Sequence, residues 1–188
     1  MATVAMEQQK RLHPHKFTMW VAIASILMMF GGLTSAYIVK RNQPNWQTFD
    51  LPIAFWYSTA IVIASSITMM LALRSFKERQ MSRYRMLLAA TMVLGVIFIA
   101  LQIFGFQELW NKGLTLQANV SYSFLYIIVG LHAVHVLGGV IALIVMSLLA
   151  FSSKKRVYTS VPLEVMSTYW HFVDILWLYL LVFLLLIK

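Results

Sequence analysis

Four residues in apolar surroundings carry the groups with which this chain could do chemistry. His132 and His135 stand three apart in one apolar run, and His171 and Asp174 stand three apart in another. On a helix that spacing puts each pair on one face. Three chemistries use such a set. Two helices that each supply a ligand pair could hold zinc, copper or iron through imidazole and carboxylate donors. The same groups could relay a proton through a membrane. They could also be interhelical hydrogen-bonding groups that fix packing. Burying an aspartate at a helix centre costs roughly 2.5–3.5 kcal/mol on insertion scales, so Asp174 is expected to face a protein interior or a polar cavity. His132 and Asp174 enter from opposite sides and fall near mid-membrane, where a hydrogen bond or ion pair involving Asp174 would lower its cost.

Membrane helices must position these residues. Hydrophobic residues make up 61% of the 188 and charged residues 11%, against about 25% charged in a soluble domain. A net charge of +9 would point to nucleic acid in a soluble protein. Here the basic residues lie in short segments between apolar runs, which reads as topology and lipid headgroups, with no nucleic-acid partner. The absence of cysteine excludes disulfides and thiolate metal sites.

Five runs are long enough to span a bilayer, at about 17–39, 51–73, 86–106, 122–151 and 166–187. With no alternating strand pattern, the expectation is an all-α, polytopic bundle of five transmembrane helices: a polar segment 1–16 and then one domain, 17–188. The first run follows Lys10, Arg11 and Lys16 and is about 23 residues, too long for a signal-peptide core, so it is expected to remain as a membrane helix. The fourth, of 30 residues, should tilt or project past the membrane.

Basic residues predict orientation. Lys10, Arg11, Lys16, Arg74, Lys77, Arg79, Arg83, Arg85, Lys154, Lys155 and Arg156 would lie on one side, against Lys40, Arg41, Lys112 and Lys188 on the other. That puts the N-terminus in the cytoplasm and the C-terminus outside. Gly139 and Ala142 extend the His132/His135 stripe and would let a neighbouring helix come close. Trp20, Trp46, Trp56, Trp110, Trp170 and Tyr158 fall near span ends and read as interface anchors. Met28, Met29, Met69 and Met70 read as gap-fillers.

One stretch carries a family signal: Tyr169-Trp170-His171-Phe172-Val173-Asp174-Ile175-Leu176-Trp177. It resembles the last-helix motif of subunit III of the haem-copper respiratory oxidases, which reduce oxygen with electrons from cytochrome c or quinol. Gly130-Leu131-His132-Ala133-Val134-His135-Val136-Leu137-Gly138-Gly139 resembles the family's penultimate helix, and Leu94-Gly95 with Phe98 and Gln102 resembles the helix before it. Leu51-Pro52 followed by Thr59, Ser65, Ser66 and Thr68 resembles the short bacterial forms, and Glu164 matches a family glutamate. The resemblance runs from residue 16 onward and implies the short form of five helices. Two positions depart from it: Ile26 and Gly105 stand where the family usually has glutamates, so the lipid-headgroup and carbodiimide-reactive roles of those acids are not carried over.

The resemblance implies a non-catalytic core subunit of a proton-translocating terminal oxidase in a bacterial inner membrane. Haem and copper would belong to partner subunits I and II, and none to this chain. Family members form a V-shaped cleft filled by lipid, pack on subunit I, sustain its proton uptake and protect its active site. The polar framework would be His132, His135, Glu164, His171 and Asp174. Lys154, Lys155 and Arg156 are candidate contacts for the headgroup of a bound phospholipid, and a respiratory supercomplex is a candidate further partner. An accessory subunit of nitric oxide reductase and a free-standing metal or proton-relay protein are the alternatives.

Overall fold

The computed structural model describes residues 14–151 and 160–187. Among them are five long helices and no strand: α1 Pro14–Arg41, α2 Ile53–Lys77, α3 Met81–Asn111, α4 Val120–Phe151 and α5 Val161–Leu186. All five are long and apolar enough to cross a membrane. Most of them outrun the expected spans, because a helix continues past the hydrocarbon core until a breaker stops it. Pro14 opens α1, Pro52 caps α2 and Pro162 sits in the first turn of α5, where a missing N–H costs nothing. Arg79 and Gly113 take positive φ in the short turns after α2 and α3. The 32 residues of α4 reach about 48 Å, longer than a bilayer's hydrocarbon core. Lys10, Arg11, Lys154, Lys155, Arg156, Tyr158 and Lys188 lie outside the described residues.

Helix α5 is the hub. It packs on α1, α2 and α4; α2 also pairs with α3, α3 with α4, and α4 with α1. The contacts close one ring of five helices around a continuous core. An apolar groove opens between α1, α4 and α5, lined by Met19, Gly138, Ala142, Met146, Val165 and Tyr169. Half of α5's most apolar window is buried, about twice the share of any other helix, because three neighbouring helices cover it.

Short glycines set how closely the helices approach. A Cβ on Gly95 of α3 would lie 2.8 Å from both the Trp170 ring and Val140, so α3, α4 and α5 meet there. On α4, a Cβ at Gly139 would meet Trp170 at 3.0 Å and Tyr169 at 3.1 Å, so the small-residue stripe does bring α5 close. Trp170 is consequently 3% exposed and lies in the core, which corrects the interface reading. Trp46 is also drawn in, edge-on to Tyr37 at 4.8 Å, whereas Trp20, Trp56 and Trp110 stay exposed. The methionines divide: Met69 is buried, but Met28 and Met70 face outward and fill no gap within the bundle.

Candidate functional site

The conspicuous polar groups at membrane depth gather where α5 meets α2. The hydroxyls of Ser58, Thr59, Ser65, Ser66 and Thr68 are among those that run along α2. Seven-residue steps, 58 to 65 and 59 to 66, return to nearly the same helix face. Trp170 donates its indole N–H to the Ser65 hydroxyl at 3.1 Å, and Trp177 donates to Thr59 at 3.0 Å. His171 Nδ1 meets the Ser66 hydroxyl at 2.6 Å. These three bonds fix the antiparallel register of α5 on α2. From α3, Gln102 donates to Ser58 at 3.0 Å and Thr91 meets Thr68 at 2.9 Å.

Asp174 is buried beside Ser66, and its Oδ2 has no hydrogen-bond partner among the described residues. It is not paired with His132. That imidazole is fully buried on the other side of α5, stacked on Trp177 at 5.2 Å and met edge-on by Phe98 at 6.0 Å and Phe30 at 6.5 Å. Neither of its nitrogens has a hydrogen-bond partner among the described residues. His135 is half-buried, turns Nδ1 onto its own helix at Leu131 O (2.7 Å) and packs on Phe30. Its backbone carbonyl accepts the Tyr169 hydroxyl at 2.9 Å.

The four candidate ligands therefore do not converge. Trp177 and its aromatic neighbours separate His132 from the α2–α5 cluster. Among the described residues no group of three or more His, Cys, Asp or Glu side chains is placed to hold a metal ion.

Glu164 does a separate job at one end of the bundle. It takes Lys16 of α1 at 2.7 Å and Lys77 of α2 at 3.5 Å, tying three helices together. The lysines share one side in the charge count, but sequence gives no hint that they meet on Glu164. Ser66 was also unassigned as a partner, although the hydroxyl spacing on α2 was its visible signal. Glu108, at the opposite end, pairs locally with Lys112 at 2.6 Å.

Gly105 explains one departure. A Cβ there would lie 2.6 Å from the Phe55 ring, so the space a longer side chain would need is taken by α2. Ile26 packs against the apolar core.

The sequence profile of the family Cytochrome c oxidase subunit III matches residues 16–187. Relatives include cytochrome c oxidase subunit 3 of Corynebacterium diphtheriae, 31% identical over 84% of this chain and 80% of that protein. Cytochrome c oxidase subunit 3 of Bacillus subtilis is 28% identical over 86% of this chain and 80% of its own length. A probable quinol oxidase subunit 3 of Staphylococcus haemolyticus is 23% identical over 88% and 85%.

Proposed function

Since the chain belongs to the cytochrome c oxidase subunit III family, and so is a multi-pass subunit of a haem-copper oxidase, we propose that it is the non-catalytic core subunit of that complex. In this reading subunits I and II hold the haem and copper, and this chain supports subunit I through packing, bound lipid and proton uptake. Bacterial relatives support a place in a bacterial inner membrane. The charge count supports an N-terminus inside and a C-terminus outside. Lys154, Lys155 and Arg156 remain proposed headgroup contacts, and a respiratory supercomplex a proposed assembly.

The observation that carries a structural role is how the last-helix motif uses its polar atoms. Trp170, His171 and Trp177 all bond hydroxyls of α2, so three of the motif's side chains serve helix packing. Together with Glu164, the polar framework sets helix positions and carries no reaction. A tagged copy extracted in mild detergent should bring down larger subunits with a haem spectrum and oxygen uptake. A haem-free chain that purifies alone would refute the assignment. Asp174→Leu should lower assembly more than the chemical step; a fully assembled, fully active complex would count against Asp174 as framework.

A further inference from the structure

The outward face shared by α2 and α5 holds a polar group that lipid cannot satisfy. His171 is only partly buried, and while Nδ1 meets Ser66, Nε2 has no bond to a described residue and reaches the surface of the bundle. It is the eleventh of the 26 residues of α5, about 4 Å from the helix midpoint. Around it the face is apolar: Ile63, Ile67 and Met70 on α2 and Ile175 on α5 are all exposed. Lipid tails offer no hydrogen bond, and an unsatisfied polar group in hydrocarbon costs several kcal/mol. The nearer headgroups lie about 11 Å away, half the thickness of the hydrocarbon core less that offset, beyond the reach of an imidazole. Toward the Glu164 end of α5, the Thr168 hydroxyl is already committed to the Glu164 carbonyl at 2.9 Å and the Tyr169 hydroxyl to the His135 carbonyl at 2.9 Å.

We propose that this face, centred on His171, seats a transmembrane helix of another oxidase subunit that is apolar except for one hydrogen-bonding side chain at mid-bilayer, opposite His171 Nε2. The inference rests on the chain being an oxidase subunit. Whether the partner donates or accepts follows from the tautomer of His171, which the Ser66 hydroxyl sets through Nδ1. Ile175, one turn beyond His171 and 64% exposed, would lie inside the seat.

The test is a photo-crosslinking residue at Ile175 in the intact complex in native membranes, with Val93 on α3 and Ile141 on α4 as the comparison positions. Both are exposed. Capture of a larger oxidase subunit from position 175 is the expected result. Capture of lipid only, or of a second copy of this chain, from position 175 overturns the proposal. If haem still co-purifies, the oxidase assignment survives that failure; if haem is lost as well, both fall. In the same complex His171→Phe should shift release of this chain by about three- to twenty-fold, the range expected for one interhelical hydrogen bond in a membrane. His171→Phe also removes the Ser66 contact, so Ser66→Ala is measured beside it. Release equal in the two variants would mean that the outward nitrogen contributes nothing, and would overturn the proposal.

Discussion

Replacing Gly105 with alanine isolates one close helix approach. The added Cβ would lie 2.6 Å from Phe55 Cε1, 3.0 Å from Cδ1 and 3.6 Å from the Ala54 Cβ. Carbon atoms in comfortable contact sit about 3.5–4.0 Å apart, so the ring must retreat by roughly 1 Å. It has little room to do so. Phe55 is fully buried, with Trp177 edge-on at 5.6 Å and Phe106 at 6.3 Å. Overpacking of this kind costs about 1–3 kcal/mol. Alanine's better helix propensity returns about 0.5–1 kcal/mol, which leaves a net loss of about 1 kcal/mol at mid-range and up to about 2.5 kcal/mol. For a chain of this size the mid-range loss is a fall of roughly 2–5 °C in the unfolding midpoint. The assay is thermal or detergent-driven unfolding of the purified complex, followed by release of this subunit. Gly32→Ala serves as the control, since its Cβ would meet nothing within 4 Å, and it should not destabilise. Adding Phe55→Leu to Gly105→Ala should recover part of the loss, because the two sites touch and their effects should not add. A Gly105→Ala protein as stable as the parent, or a double variant with simply summed losses, would refute the clash.

Three further outcomes follow from the same geometry. His132→Leu should change stability by less than about 1 kcal/mol: it removes two unpartnered buried nitrogens, and the relief offsets the lost stacking on Trp177. A large loss on unfolding would mean that His132 has a partner in the assembled complex. Trp170→Phe should destabilise by about 1–3 kcal/mol, combining the lost Ser65 bond with the smaller ring in a tight site; an unchanged midpoint would return Trp170 to an interface role. Glu164→Gln should cost at most about 1–2 kcal/mol, because Lys16 and Lys77 are 39% and 57% exposed and such pairs are screened. That loss should shrink when unfolding is measured at 1 M salt, and a salt-independent loss would argue against an ionic clamp.

The number and class of the elements were legible in the sequence because hydrocarbon imposes one rule on every span: twenty or so apolar residues with the backbone satisfied internally. The positions of His132, His135, His171 and Asp174 on helix faces were legible for the same reason, since a helix repeats every 3.6 residues. Which faces meet is not a periodic property. The two His/Asp pairs could be read as one cluster because each lies on a stripe at similar depth. The helices instead rotate so that Trp177 separates His132 from Asp174, and Ser66 takes the place beside His171 and Asp174. Trp170 looked like an anchor from its place near a span end, yet Gly95 and Gly139, on two other helices, open the pocket that buries it. Lys16, Lys77 and Glu164 lie on three separate helices and become an ion cluster only when α1, α2 and α5 share an end. Local composition thus determined that this chain is a five-helix membrane protein and where its polar groups sit along each helix. The close approaches allowed by glycines far apart in the chain decided which of those groups touch, and so brought Trp170, His171 and Trp177 onto the hydroxyls of α2.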